Sequence, residues 1–166
     1  MISAARIDGL ILDVDGVLTD GKITYNNGGE ESKNFHVRDV SRIKLLLKSG
    51  IDIAILSGRN SQSVERRAEE LGITKLVLGA ESKLNGFQKL REKGFASQEI
   101  LAIGDDIADL ELFSHPDICL SATVEDAAEF IKSKVDFVTE KAGGNGIMFE
   151  IAELILTSKG LWPYEN

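Results

Sequence analysis

The run Leu10-Ile11-Leu12 ends abruptly in Asp13-Val14-Asp15-Gly16. Residues 7–12 are mostly apolar with little polar alternation, the pattern of a central strand in a parallel sheet covered on both faces. Carboxylates are excluded from such a sheet unless paired or metal-bound. Asp13 and Asp15 therefore belong where the strand emerges, at its carboxyl end, which is where open α/β sheets bind ligands. Gly16 then permits a tight turn. Two acids this close repel each other, and a divalent cation relieves the repulsion. The same spacing also reads as a helix cap at Asp13 followed by a turn at Asp15, so the rest of the chain has to decide.

Immediately after this turn, residues 22–37 carry Asn26-Asn27-Gly28-Gly29 between two partly alternating arms, a β-hairpin signal that puts a flap beside the acidic turn. A hairpin this small is marginal alone and needs something to pack against, another subunit included. Residues 41–48 suit a helix ended by Gly50, and residues 51–56 a buried strand that stops at Ser57-Gly58-Arg59. Ser61 is placed to cap a helix that Gly72 closes; residues 74–78 read as a strand, and Ser82 or Glu81 opens a helix running to Gly94. A fourth strand, 99–103, leads at once into Gly104-Asp105-Asp106-Ile107-Ala108-Asp109 and a helix that Pro116 helps to stop. Beyond it the pattern predicts a short strand over 118–120, a helix over 124–132, a strand over 135–138, a glycine loop at 141–146 and a last helix over 147–157. Strands alternating with helices across short loops predict an α/β fold, a three-layer Rossmann-like parallel sheet with helices on both faces and a β-hairpin flap, with no separate cap domain.

At 166 residues the chain is most economically one domain, with the flap at about 22–37 and a C-terminal tail at 158–166. A formal charge of −8 argues against a general nucleic-acid or acidic-membrane surface, so an anionic substrate needs local positive charge. The single cysteine, Cys119, excludes a disulfide framework and a Cys-rich metal site, and fits a reducing cytoplasm. No apolar run reaches the roughly 20 residues of a membrane span.

Successive strand ends thus carry Asp13 and Asp15, then Ser57, then Lys83 a little further on, then Asp105, Asp106 and Asp109. A hard cation such as Mg2+ takes oxygen ligands, and Asp13, a backbone carbonyl and Asp105 make a plausible set. An aspartate beside it can attack phosphorus while a second carboxyl protonates the leaving oxygen and later activates water; Asp13 and Asp15 fit those roles. Lys83, the Ser57 hydroxyl and nearby backbone N–H groups would stabilise the phosphoryl oxygens.

Together these residues resemble the haloacid-dehalogenase-like phosphohydrolases, whose pattern is Asp-x-Asp-Gly, a Ser/Thr after the second strand, a Lys, and Gly-Asp-Asp-x-x-Asp. Residues 13–20, the hairpin, Val37-Arg38-Asp39, Ser57-Gly58-Arg59, Ser82-Lys83-Leu84, Gly104-Asp105-Asp106 and Gly143-Gly144-x-Gly146 look like its capless subfamily of 3-deoxy-D-manno-octulosonate 8-phosphate phosphatases. The resemblance implies that Asp13 is nucleophile and metal ligand, that Asp15 is the acid/base and ligates through its carbonyl, and that Asp105 completes the Mg2+ site. It implies Asp106 and Asp109 behind them, orienting metal waters or Lys83, and substrate contacts from Gly16, Thr19, Gly58, Arg59 and Arg67. It also implies a homotetramer, in which a neighbour's surface covers the site, and a sugar-acid phosphate as substrate. Arg59 favours the eight-carbon acid over related nine-carbon 9-phosphates, whose phosphatases tend to carry Glu there. Three positions depart from the subfamily pattern: Val40 replaces Gly or Ser, and Asn145 and Phe149 replace Arg, which removes positive charge near the expected entrance.

A receiver-like signalling domain also uses clustered aspartates, a Ser/Thr and a Lys, but the Asp13-x-Asp15 spacing sets an acid/base beside the nucleophile. A non-catalytic assembly domain would not need the complete acidic set. Ser57 and Lys83 taken singly are ordinary caps and solvated charges, Asp106 and Asp109 ordinary helix openers, and Arg59 and Arg67 ordinary surface ion pairs. Lys141 reads as an exposed loop lysine, His36 and His115 as too isolated to ligate, and Trp162 and Tyr164 either as packing or as a dock on a neighbour.

Overall fold

The computed structural model describes residues 4–164, so Glu165 and Asn166 of the expected tail lie outside the described residues. In chain order the elements are β1 (Gly9–Leu12), β2 (Thr24–Tyr25), β3 (Glu31–Ser32), α1 (Asp39–Lys48), β4 (Asp52–Leu56), α2 (Gln62–Leu71), β5 (Lys75–Val77), α3 (Lys83–Glu92), β6 (Ile100–Ile103), α4 (Ile107–Phe113), β7 (Ile118–Thr123), α5 (Glu129–Lys132), β8 (Phe137–Val138) and α6 (Met148–Ser158). Six strands make one sheet in the order β5-β4-β1-β6-β7-β8, and every pairing is parallel.

All four residues of β1 are buried, because the sheet is covered on both sides. Side chains alternate across a strand: Leu10 and Leu12 pack with Ile43 and Leu46 of α1, Val64 and Leu71 of α2, and Ile151 and Ile155 of α6. Ile11 faces the other way, onto Phe87 and Leu90 of α3 and Leu112 of α4. Each fully buried aliphatic contributes about 1.5–3 kcal/mol, so this double cover anchors the strand ends far more firmly than any surface contact could.

The chain leaves β1 for β4 and β5 on one side and returns to β6, β7 and β8 on the other, so the order reverses beside β1. A crevice opens at such a switch point, at the carboxyl ends of the strands. Leu12 is in register with Ile55 of β4 and Ile103 of β6. Asp13, Ser57 and Asp105 therefore leave the sheet at nearly one level, and the Asp13 N–H still donates to the Ile103 carbonyl at 3.0 Å.

The hairpin forms as the sequence predicts. Thr24 pairs with Ser32 and Tyr25 with Glu31, and the Asn26 Oδ1 accepts from the N–H groups of Gly28 and Glu30 at 2.9 and 3.0 Å. Ser82 caps α3, its side chain accepting from the Asn85 N–H at 3.1 Å.

Three expectations fail. The helix expected over 124–132 is helical only over Glu129–Lys132, because the Glu125 N–H donates to the Lys141 carbonyl and Asp126 Oδ1 accepts from the Gly143 N–H at 2.8 Å, tying the segment to the glycine loop. The strand expected over 118–120 runs on to Thr123, stitched by Asp136 Oδ2, which accepts from the N–H and hydroxyl of Ser121 at 2.8 and 2.7 Å. Ser61 stands at the N-cap of α2 but makes no cap bond; its hydroxyl donates to Glu31 of the flap at 2.8 Å.

Candidate active site

Lys83, in the first turn of α3, reaches across the strand ends. Its Nζ donates to Asp13 Oδ1 at 2.8 Å and to the Leu56 carbonyl at 3.1 Å, and pairs with Asp109 Oδ1 at 2.9 Å. Three donors meet three acceptors, the full capacity of an ammonium group. Burial opposes the charge on Lys83, but the carboxylates of Asp13 and Asp109 outweigh it and its pKa rises.

Asp109 is 2% exposed and fully engaged. Its Oδ2 accepts from the N–H groups of Asp105 and Asp106 at 3.0 and 3.1 Å, the second closing a capping box whose other half is the Asp106 side chain accepting from the Asp109 N–H; Asp106 Oδ1 also accepts from the Ile107 N–H at 2.7 Å. Asp106 is exposed and serves as that cap. Asp109 thus holds both the lysine and the turn that carries Asp105.

Burial raises Asp13 to about 6, Lys83 pulling it down and Asp109 pushing it up. Burial raises Asp105 to about 7, with the charges of Asp13, Asp109 and Asp106 adding to the effect. Desolvation and mutual repulsion of this kind are what a bound divalent cation would relieve. Carboxylate oxygens of Asp13, Asp105 and Asp109 lie within 4.8 Å of one another, an all-oxygen donor set that suits a hard divalent ion. With both Asp109 oxygens already committed, Asp13 and Asp105 are the pair left to ligate. The expected Asp13 and Asp105 ligands come together, and Asp109 joins the cluster where the sequence had placed it only behind.

Gly16 has φ +83°, and a Cβ there would sit 1.9 Å from Asp105 Oδ2, so only glycine lets the turn pass this close to the carboxylate. Thr19, expected to touch substrate, is buried and occupied: its hydroxyl oxygen accepts from the N–H groups of Gly16 and Gly21 and its proton goes to the Val14 carbonyl. It builds the turn. Gly143 packs on the same turn, where a Cβ would collide with the Gly16 carbonyl oxygen at 1.8 Å, and the Gly144 N–H donates to the Val17 carbonyl at 2.9 Å.

Ser57 is buried and its Oγ accepts from the Arg59 N–H at 3.2 Å. Gly58 and Arg59 are exposed beside it. The Arg59 guanidinium donates to Glu31 at 2.8 Å and Tyr25 at 3.1 Å, both in the flap, and its Nε lies 4.0 Å from Asp15 Oδ2. The hydrogen bonds from Arg59 and Ser61 hold Glu31 below the usual range. Arg67 is not brought to this cluster. Its guanidinium donates to the His36 carbonyl and to Glu70 and lies over the Phe35 ring, so the expected substrate contact gives way to a structural one.

Sequence reasoning missed Lys33. Its side chain is fully buried, and Nζ lies 2.5 Å from Asp15 Oδ1 and 3.6 Å from Glu31. The flap thus presses an ammonium onto the second acid of the motif. Lys33 stands 18 residues beyond Asp15 on the far arm of the predicted hairpin, and no local pattern in the sequence marks the contact.

A family pattern described as haloacid dehalogenase-like hydrolase matches residues 79–151. The 3-deoxy-D-manno-octulosonate 8-phosphate phosphatase KdsC of Escherichia coli (strain B / BL21-DE3) is 42% identical over 161 residues, spanning 96% of this chain and 85% of the relative. The crystal structure of the phosphatase of that name from Yersinia pestis superposes with a TM-score of 0.89 at 40% identity, covering 95% of this chain and 85% of the other. That from Moraxella catarrhalis, in complex with magnesium ion, phosphate ion and KDO, gives 0.87 at 38% identity over 95% and 90%.

Proposed function

The chain belongs to the haloacid dehalogenase-like hydrolases, among the 3-deoxy-D-manno-octulosonate 8-phosphate phosphatases, and from that premise we propose a Mg2+-dependent phosphatase acting on a sugar-acid phosphate, 3-deoxy-D-manno-octulosonate 8-phosphate foremost. The observation that carries the reading is the buried junction of Asp13, Lys83, Asp109 and Asp105 at the strand ends of a chain 42% identical to such phosphatases.

Asp13, Asp105 and the Asp15 carbonyl would hold Mg2+, which would supply charge neutralisation at the phosphate. Lys83 keeps the Asp13 carboxylate ionised and aimed, so that an oxygen attacks phosphorus and an aspartyl-phosphate forms. Asp15 gives its proton to the departing sugar oxygen, then takes one from the water that hydrolyses the acyl phosphate. Ser57 donates its hydroxyl proton to a phosphoryl oxygen, and the N–H groups of the Gly16 turn and Gly58 add to it. Arg59 meets the sugar-acid carboxylate, which requires it to leave Glu31 and Tyr25. Arg67 and Thr19 have no part in this reading, because their polar atoms are committed elsewhere. The chain acts as one cytoplasmic unit and assembles as a homotetramer; exposed Tyr25 and Val37, at 59% and 78%, offer apolar contact around the flap.

Phosphate release, with and without Mg2+, from the eight-carbon 8-phosphate, nine-carbon sugar-acid 9-phosphates and hexose phosphates tests the proposal. Strong preference for the eight-carbon acid is the expected result. Preference for a nine-carbon acid would move the assignment to that substrate, and steady phosphate release independent of Mg2+ would overturn the mechanism.

A further inference from the structure

Beyond the turn that carries Asp13 lies a cavity of about 320 Å3, lined by His36, Arg38, Arg42, Lys141, Asn145 and Phe149. It shares none of the residues assigned above to catalysis. Its size is at the lower end of the roughly 300–1,000 Å3 of small-molecule sites. Three of the six side chains are cationic, in a protein of net charge −8. Among the described residues, Arg38, Arg42 and Lys141 form no ion pair. Two acids beside Lys141 have oxygens committed to backbone N–H groups. Asp39 Oδ1 accepts from the Met148 N–H at 3.2 Å, and Glu150 accepts from the backbone N–H groups of Glu140 and Lys141.

Arg42 carries the strongest sign of a missing partner. Its guanidinium carbon lies 5.2 Å from the Phe149 ring centroid and 5.6 Å from that of Tyr164, which fixes the group in place. Its Nε is nonetheless buried with no hydrogen-bond partner among the described residues. A buried N–H on a positive group is costly to leave unsatisfied. Arg42, from a different helix, places positive charge beside Asn145 and Phe149.

We propose that this cavity is an oxyanion site, taking a phosphate or carboxylate group between Arg42, Arg38 and Lys141. A planar guanidinium and an ammonium converging on one space suit either group, and neutral or cationic ligands are disfavoured. The occupant also has a route to the acidic centre. Lys141 and Asn145 flank Gly143 and Gly144, which grip the Gly16 turn, so anchoring the loop anchors that turn. The site stands on the cavity and its cations alone and does not depend on the phosphatase reading.

Trp162, the only tryptophan in the chain, reports on it, because its ring meets Phe149 at 5.4 Å. The full chain, free of divalent cation and at fixed ionic strength in chloride, is titrated with inorganic phosphate and separately with 3-deoxy-D-manno-octulosonate while Trp162 emission is followed. A saturable change at roughly millimolar concentration or below is expected. Its dissociation constant should rise about tenfold in both Arg42→Gln and Lys141→Gln and stay unchanged in Lys89→Gln on a distant face. Tighter binding of phosphate assigns a phosphoryl group as the occupant, and tighter binding of the sugar acid assigns a carboxylate. Because Arg42→Gln alters the ring stack itself, the rise of the thermal midpoint with phosphate is the second readout, expected in the wild type and lost in both variants. Failure of both anions to saturate, or equal binding in wild type and both variants, overturns the site; phosphate lodged at the acidic centre would give the latter result.

Discussion

The acidic centre and the entrance beside it are built on opposite plans. Asp13, Ser57 and Asp105 extend strands whose register the whole core enforces, and the groups that orient them are buried. The flap has two residue pairs in its ladder and a single backbone bridge, Thr19 to Phe35, at its base; beyond that base it meets the body through side chains: Lys33 on Asp15, Arg59 on Glu31 and Tyr25, Ser61 on Glu31. Rigid chemistry and adjustable access are thus separated along the chain. Substitutions at the centre should act on chemistry and stability together, whereas those at the flap should act on turnover with the fold intact.

The largest effect tests the centre alone. Asp13→Asn is expected to lower phosphate release by at least about 10^4-fold with the far-UV spectrum unchanged, since a nucleophile has no substitute; turnover near wild type would remove the covalent step. Lys83→Met should cost about 3–5 kcal/mol in urea unfolding, because Asp13 and Asp109 are left as buried charges without their partner. A loss of activity with no loss of stability would blur the contrast between the two regions.

Protons and cation compete at the centre. With Asp105 near 7 and Asp13 near 6, Mg2+ affinity measured calorimetrically should fall as pH drops through 7 toward 6 and level off above 7. The stability linkage has the same origin with its own sign. Both carboxyls bind protons more tightly folded than unfolded, so the stability they contribute is present at low pH and is lost as pH rises through about 6–7. Added Mg2+ should therefore raise the thermal midpoint more at pH 8 than at pH 5.5. A pH-independent gain would place the cation away from these acids.

Two smaller effects probe the flap. Lys33→Met should reduce turnover about tenfold, by freeing Asp15 from its partner, and lower the thermal midpoint by less than Lys83→Met does, because Asp15 is the more exposed acid. Glu31→Gln, which loosens a half-exposed Arg59, should shift stability by less than about 1 kcal/mol and alter the Michaelis constant more than turnover.

The same division governs what the sequence discloses. β1, β4 and β6 are continuous apolar runs that stop at polar residues, so strand identity, sheet type and the convergence of Asp13, Ser57, Lys83 and Asp105 follow from local pattern alone. Long-range side-chain choices leave no such trace. Lys33 and Asp15 are 18 residues apart, Ser61 and Glu31 are 30, and no periodicity links them. Ser61 looks like a cap because caps look like serines, yet a carboxylate across the flap outcompetes the helix end. The segment 124–128 carries helical spacing, but the amides of the glycine loop claim its Asp126. Arg67 sits on a motif helix, and only its packing against Phe35 and the His36 carbonyl reveals where the guanidinium goes.

The threefold seat of Lys83 has a bearing on how the protein comes into being. Its acceptors lie after β1, at the end of β4 and in α4, with 70 residues of chain between Lys83 and Asp13 and 27 between Lys83 and Leu56. Contacts that distant form only after the intervening loops have closed. A chain still emerging from the ribosome, or one with half its sheet assembled, can hold Asp13 but cannot arm it. In the proposed mechanism, the activation of Asp13 by Lys83 thus waits on completion of the scaffold that brings the two together.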